Sequence, residues 1–301
     1  MQRLLFKVVS IWVQIRDLYL YIFRHAIIVN AWIDDHTWRG INQRNWGDDI
    51  NYYFIKELTH RPVVSMYYFK LVRRYRLKNY LCIGSLLGMP GYANKNTIVW
   101  GAGSFGELKG VSPNHICSVR GKLTRDILIK EGIKCPEKYG DPALLLPLYY
   151  QPTINGQKHY SLGIIPHISE LNHPMVDRIR KEHPEILIIN LAQYEKWTDV
   201  IDQINSCKRI LSSSLHGLIV SDAYGIPNCW IEFSGKILGG HFKYQDYGSS
   251  VLRALTQPIH IKNLEDIKLG EGECEKWTQP KINTNDILNC CPFRIRKPRY
   301  T

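Results

Sequence analysis

The sequence predicts an α/β protein of two doubly wound lobes with a cleft between them. Three observations lead there. The 301 residues are long for one compact domain and suit two of roughly 150 residues each. From Tyr160 to Glu232, short apolar runs alternate with helical patterns, as in parallel strands joined by helical crossovers. A polar stretch at 151–159, with Pro152 and Gly156, separates that half from an N-terminal half in which strands run into glycine-rich loops. The expected organisation is an N-terminal α/β lobe at 1–150, a second lobe at 158–261 and an irregular basic tail at 262–301.

Composition excludes disorder and points to anionic partners. Hydrophobic residues make up 45% and charged residues 22%, enough for a sizeable core. The net charge of +12 suits phosphorylated metabolites, nucleic acid or an acidic membrane surface. The eight cysteines show no CxxC pair and no metal-ligand spacing, so they read as reduced thiols of a cytoplasmic protein, with no metal site.

In chain order, residues 1–24 are apolar but interrupted by Arg3, Lys7, Arg16, Asp17 and Arg24, too often for a spanning helix. They predict an amphipathic helix that packs on the first lobe or rests at the inner face of the membrane, core packing being favoured. Ala26–Trp32 is a buried-strand pattern, followed by a polar turn at Asp34, Asp35 and His36. Ile50, Tyr53, Phe54 and Leu58 then recur at helical spacing, which puts Asp48 and Asp49 at a helix start after a strand. One of the two is an N-cap candidate, leaving the other to face a cleft. Met66–Tyr80 interleaves basic residues with tyrosines, but no RNA-binding motif accompanies it and nucleic acid is not an expected partner.

Tyr80–Gly88 and Thr97–Gly106 each read as a strand entering a glycine-rich loop. The second, GAGSFG, has dinucleotide-fingerprint letters without the acidic residue about 20 positions on. Its Gly101 and Gly103 support close backbone approach to a ligand phosphate or carboxylate. The strand His115–Val119 delivers Arg120 to a helix start, where a guanidinium can grip an anion in bidentate fashion. Tyr139–Pro142 is a turn and Ala143–Leu148 an apolar run that closes the half.

The second half holds the stretch that matters most, Ile210–Asn228. A short strand enters Ser212, Ser213 and Ser214, then Leu215 and His216, and Gly217 opens a helix. Ligands in open α/β sheets sit outside the carboxyl ends of strands, where helix N-termini offer free N–H groups. His216 therefore stands where chemistry is commonly done.

Taken together, Asn45-x-Gly47-Asp48, Trp100-Gly-Ala-Gly103, Ser118-Val-Arg120, Gly140-Asp141-Pro-Ala143, Gly163-Ile-Ile-Pro-His167 and Ser212-Ser-Ser-Leu-His216-Gly resemble the polysaccharide pyruvyl transferase family. The likeness runs from about Trp46 to Val251. It implies a GT-B-like pair of Rossmann-type lobes, phosphoenolpyruvate as donor, and a saccharide acceptor, free or lipid-linked, that receives pyruvate as a cyclic ketal. No cofactor is implied. By the same resemblance His216, Arg120, Asp48 and its neighbour Asp49 are catalytic, and Lys243 in Lys243–Tyr247 is a phosphate contact. The serines 212–214, Gly217, Gly101 and Gly103 join Arg120 as binding positions. His216 is then expected to be the acid that protonates the donor's methylene carbon, or that acid's partner, and Asp48 or Asp49 to take the proton of the attacking hydroxyl. The alternatives are a sugar-nucleotide glycosyltransferase of the same architecture and a non-catalytic polysaccharide-assembly protein.

Overall fold

Parallel strands need crossover connections and are covered on both faces, so they read as continuous apolar runs. The computed structural model bears this out, with two five-stranded sheets among the described residues in which every pairing is parallel. It describes residues 2–31, 33, 44–66, 69, 71–152 and 159–300, without the side chains of 2–10 and 73. The expected turn at Asp34, Asp35 and His36, most of the 151–159 linker, and Tyr67, Tyr68 and Lys70 of the basic stretch lie outside the described residues.

The chain runs α1 (Gln2–Arg24), β1 (Ile27–Val29), α2 (Trp46–Thr59), β2 (Val63–Ser65), α3 (Leu71–Arg74), β3 (Asn79–Leu81), β4 (Thr97–Trp100), β5 (His115–Ser118) and α4 (Lys122–Lys130). A 3-10 segment, Pro142–Leu148, leads to β6 (Gly163–Ile165), α5 (Pro174–Glu182), β7 (Leu187–Ile188), α6 (Trp197–Asn205), β8 (Ile210–Ser212), α7 (Leu215–Ala223) and β9 (Asn228–Glu232). Then follow α8 (Phe242–Val251), β10 (Ile259–His260), α9 (Asp266–Glu275) and α10 (Thr284–Asn289). The tail from 262, expected to be irregular, thus holds two helices, whose inner residues Ile267, Cys274 and Ile287 are buried.

The first sheet has the order β2-β1-β3-β4-β5 and the second β10-β9-β8-β6-β7. Counted within its own sheet, each reads 2-1-3-4-5, so the same winding occurs twice. In each, the chain reverses direction across the sheet at one point: between β1 and β3 in the first, between β6 and β8 in the second. A crevice opens at such a switch point, outside the carboxyl ends of the strands.

The two sheets share one hydrophobic core. Trp46, Phe54 and Trp100 belong to the same buried cluster as Leu218, Ile219 and Val220 of α7, with Leu144–Leu146 between them. Polar contacts reinforce the join. Trp46 opens α2 with its N–H on the Leu191 carbonyl at 2.9 Å and its indole on the Trp197 carbonyl at 2.7 Å. Gly121, which begins α4, has no capping side chain of its own. Asp246 of α8 substitutes: its carboxylate accepts from the Thr124 N–H at 2.8 Å and the Thr124 hydroxyl at 2.7 Å. The tail crosses back over the first sheet, where Trp100 donates to the Ile287 carbonyl at 3.1 Å and Phe293 packs on Tyr80.

Core packing was the favoured role for α1, and the helix fulfils it on one side only. Val13 and Asp17 are buried, and Leu20 and Tyr21 pack on a cluster of Ile28, Phe69 and Val72. Its other side is exposed.

Candidate active site

The two switch points face each other. Asn45 accepts from the Gly47 N–H at 3.2 Å and so is the N-cap of α2, a role expected of an aspartate. The Asn45 amide also donates to Asp48 at 2.7 Å, aiming its carboxylate toward the loop after β3. From the second sheet, Ser214 caps α7, which begins two residues earlier than its apolar pattern predicts and takes His216 into its first turn. The imidazole lies directly on α2: a Cβ placed on Gly47 would stand 2.2 Å from His216 Nδ1. Only glycine at 47 allows this approach.

Electrostatics distinguish the members of the cluster. Burial is the main force raising the Asp48 carboxyl to about 7, with Asp49 adding to it and the Asn45 bond and Lys243 opposing. Burial, then Arg120, Lys243 and His167, lowers His216 to about 3, so its imidazole is neutral at pH 7. Its Nε2 is buried and finds no partner among the described residues. Lys243, on α8, is 5% exposed. Burial and then Arg120 lower its ammonium to about 7, against the pull of Asp48, Glu232 and Glu170. A buried ammonium is costly unless something anionic meets it. A carboxyl raised toward neutrality, a neutral imidazole and a buried ammonium thus lie within one another's electrostatic reach.

The other predicted residues divide. Ser214 is buried without a side-chain cap bond, at the head of α7. Ser212 is committed to the turn, its hydroxyl donating to the Ser214 carbonyl at 2.8 Å and accepting from the Ser214 N–H at 3.0 Å. Ser213 accepts from the His167 N–H at 2.8 Å. Gly217 makes room for the Ser212 hydroxyl, which would lie 2.2 Å from a Cβ there. Asp49 does not face the crevice: it is buried, accepts from the Tyr194 hydroxyl and lies 3.8 Å from Arg44.

Arg120 was expected to grip an anion, but its guanidinium is fully buried. It donates from Nε to Asp246 at 3.0 Å, from Nη1 to Ser85 and from Nη2 to the Ser104 carbonyl at 3.0 Å. It acts on the site as a fixed positive charge. The glycines expected to cradle a ligand instead admit protein groups. Gly103 lies under the Arg120 guanidinium, whose Cζ would be 2.2 Å from a Cβ. Gly101, at φ +81°, makes the turn that meets Pro142.

Three residues of the cluster were not singled out as candidates. His167 follows β6 as His216 follows β8, and its ring is lowered to about 3 by burial and then Lys243. Its place after an apolar strand was a readable signal. Glu170 holds the Phe233 and Ser234 N–H groups with Oε1, while Oε2 is buried without a partner among the described residues. Glu232 ends β9 and, like Glu170, faces the charge of Lys243. Beside His167 a pocket of about 760 Å³ is lined by polar groups, including Arg44, Ser169, Asn172, Asn190 and Gln193. Among the described residues no group of three or more His, Cys, Asp or Glu is placed to hold a metal ion.

Two doubly wound parallel sheets, with Asp48, His216 and Lys243 gathered near their switch points, define an α/β protein with a candidate site. The polysaccharide pyruvyl transferase family model matches residues 39–235, a span that contains Asp48, Arg120, His167 and His216. The chain belongs to the polysaccharide pyruvyl transferase family. It is also similar to Uncharacterized protein L143 of Acanthamoeba polyphaga mimivirus, at 31% identity over 159 residues. That stretch covers 52% of this chain and 55% of that protein, so the chain spans about half the length of the curated relative it matches.

Proposed function

We propose that the protein transfers pyruvate from phosphoenolpyruvate to two hydroxyls of a sugar, as a cyclic ketal, in the synthesis of a polysaccharide or lipid-linked oligosaccharide. The two sheets then act as GT-B-like lobes and the space between their switch points as the cleft. The observation that carries this reading is the meeting of Asp48, which titrates at about 7, with a neutral His216 beside the buried ammonium of Lys243.

Phosphoenolpyruvate becomes electrophilic when its methylene carbon is protonated. With burial raising Asp48 to about 7 and lowering His216 to about 3, Asp48 still holds a proton in about half of the molecules at pH 7, whereas His216 is neutral. We therefore assign Asp48 as the acid and His216 as the base, reversing the roles expected from the sequence. Asp48 protonates the methylene carbon, a sugar hydroxyl attacks C2, and His216 takes the hydroxyl proton. His216 returns its proton to the departing phosphate as the C2–O bond to it breaks, the second hydroxyl adds to C2 and gives its proton to the Asp48 carboxylate, and the ketal closes. Lys243, the Ser214 hydroxyl and the first N–H groups of α7 meet the donor's negative charge. Proton transfer and an anion cradle suffice for these steps, and phosphoenolpyruvate is a substrate, with no cofactor invoked. Since the donor is a cytoplasmic metabolite, we place the reaction in the cytoplasm.

Phosphate release separates this reading from its rival. With an acceptor saccharide, phosphoenolpyruvate should yield phosphate, and His216→Ala should lose about 10²–10⁴ in rate. Turnover of nucleotide sugars with phosphoenolpyruvate untouched would overturn the proposal.

A further inference from the structure

The outward side of α1 has no use in the site just described. Ile11, Trp12, Ile15, Tyr19, Ile22 and Phe23 are each more than half exposed. They fall three, four and seven residues apart, on one side of the helix, opposite Val13, Asp17, Leu20 and Tyr21. The stripe is about 18 Å long at helical rise. Scattered exposed apolar residues need no explanation, but a contiguous aromatic and aliphatic stripe does.

Its charge environment identifies the occupant. The sole acid between Ile11 and Arg24 is Asp17, buried and paired with Arg16 at 2.8 Å. Arg16 in turn lies over the Trp12 ring at 5.5 Å. The inner side of α1 shares its apolar cluster with Val72 and Leu77, and around these Arg74, Arg76 and Lys78 are exposed beside an exposed Tyr75. An apolar, aromatic stripe with Arg16 at its edge, on a helix that shares its inner cluster with an exposed basic segment, fits the boundary between headgroups and acyl chains of an anionic bilayer. A second copy fits poorly, because a two-fold packing of this side would bring two basic rims together in a chain of net charge +12. No helix among the described residues is long and apolar enough to cross a membrane, which leaves α1 lying in the interface.

We propose that the outward face of α1, with the basic segment around α3, docks the protein on an anionic lipid surface. This does not depend on the pyruvyl-transfer reading, and a protein that binds vesicles without releasing phosphate from phosphoenolpyruvate would sink that reading alone.

The test is flotation of the full chain with vesicles of phosphatidylcholine alone and of phosphatidylcholine mixed with phosphatidylglycerol. The wild type should float with the mixed vesicles, and added salt should weaken the association. Ile15→Asn with Phe23→Ser should bind at least about tenfold more weakly, and Arg74→Glu with Lys78→Glu likewise, at roughly fivefold per basic residue lost. Both pairs are exposed, so thermal unfolding should match the wild type. Failure of the folded wild type to float with mixed vesicles would overturn the proposal, as would variants that float like wild type. A concentration-dependent dimer abolished by the α1 pair, without vesicle binding, would reassign the face to self-association.

Discussion

Gly47→Ala adds a single methyl group at the closest contact between the two sheets. That carbon would lie 2.2 Å from His216 Nδ1, whereas ordinary contact begins near 3.4 Å, so one partner must retreat by more than 1 Å. The start of α2 is held by the Trp46 bonds to Leu191 and Trp197, so the imidazole is the group that moves. A displacement of that size at a reacting group costs about 10²-fold in rate. Stability should change little. Overpacking costs about 1–3 kcal/mol, and alanine returns up to about 1 kcal/mol over glycine in a helix. The assay is steady-state phosphate release from phosphoenolpyruvate, alongside a thermal melt. A kcat near that of the wild type, in a folded variant, would show that His216 has no positioned role.

Other expectations follow from the same geometry. Asp246→Ala leaves the buried Arg120 without its carboxylate and α4 without its cap, and should cost about 3–5 kcal/mol in denaturant unfolding. Lys243→Met should raise the KM for phosphoenolpyruvate at least tenfold, since hydrogen bonds to charged groups contribute about 1.5–3 kcal/mol. The same change should leave the protein as stable or more so, because a buried ammonium is removed; equal donor affinity would deny Lys243 its role. For pH, His216 is lowered to about 3 when folded and titrates near 6.5 when unfolded, so between those values the unfolded chain binds the extra proton. Acid therefore erodes stability through that window, and His216→Gln should lose less between neutrality and about pH 4 than the wild type. Parallel stability curves for the two proteins would contradict a neutral imidazole whose Nε2 is buried.

The winding was legible because parallel strands leave continuous apolar runs. Asn228–Glu232 coincides with the strand its apolar run predicts, β8 lies one residue on from the run at 209–211, and β6 begins three residues into the run at 160–166. His216 was legible for the same reason, since a polar turn between such a strand and a helix marks a crevice. The uses of Arg120 and the glycines were not. Gly101, Gly103 and Gly217 signal close approach, but a lone sequence does not say whether the approaching group is a ligand or a neighbour such as Pro142, Arg120 or Ser212. Asp246 lies 126 positions from Arg120, and no local pattern announces an ion pair between sheets. The proposed acid and base assignment was out of reach too, because it rests on burial reversing the order of the ordinary pKa values, which favour His216 as the proton donor.

In the proposed reaction Asp48, His216 and Lys243 move pyruvate from phosphoenolpyruvate onto a sugar. Mass spectrometry of oligosaccharide acceptors, free and lipid-linked, after incubation with phosphoenolpyruvate reads it most directly. The expected product is heavier by one pyruvate less one water, with one phosphate released per ketal, formed at least about 10²-fold more slowly by His216→Ala or Asp48→Asn. Unchanged acceptors and intact phosphoenolpyruvate, under conditions where a nucleotide sugar is consumed, would contradict it.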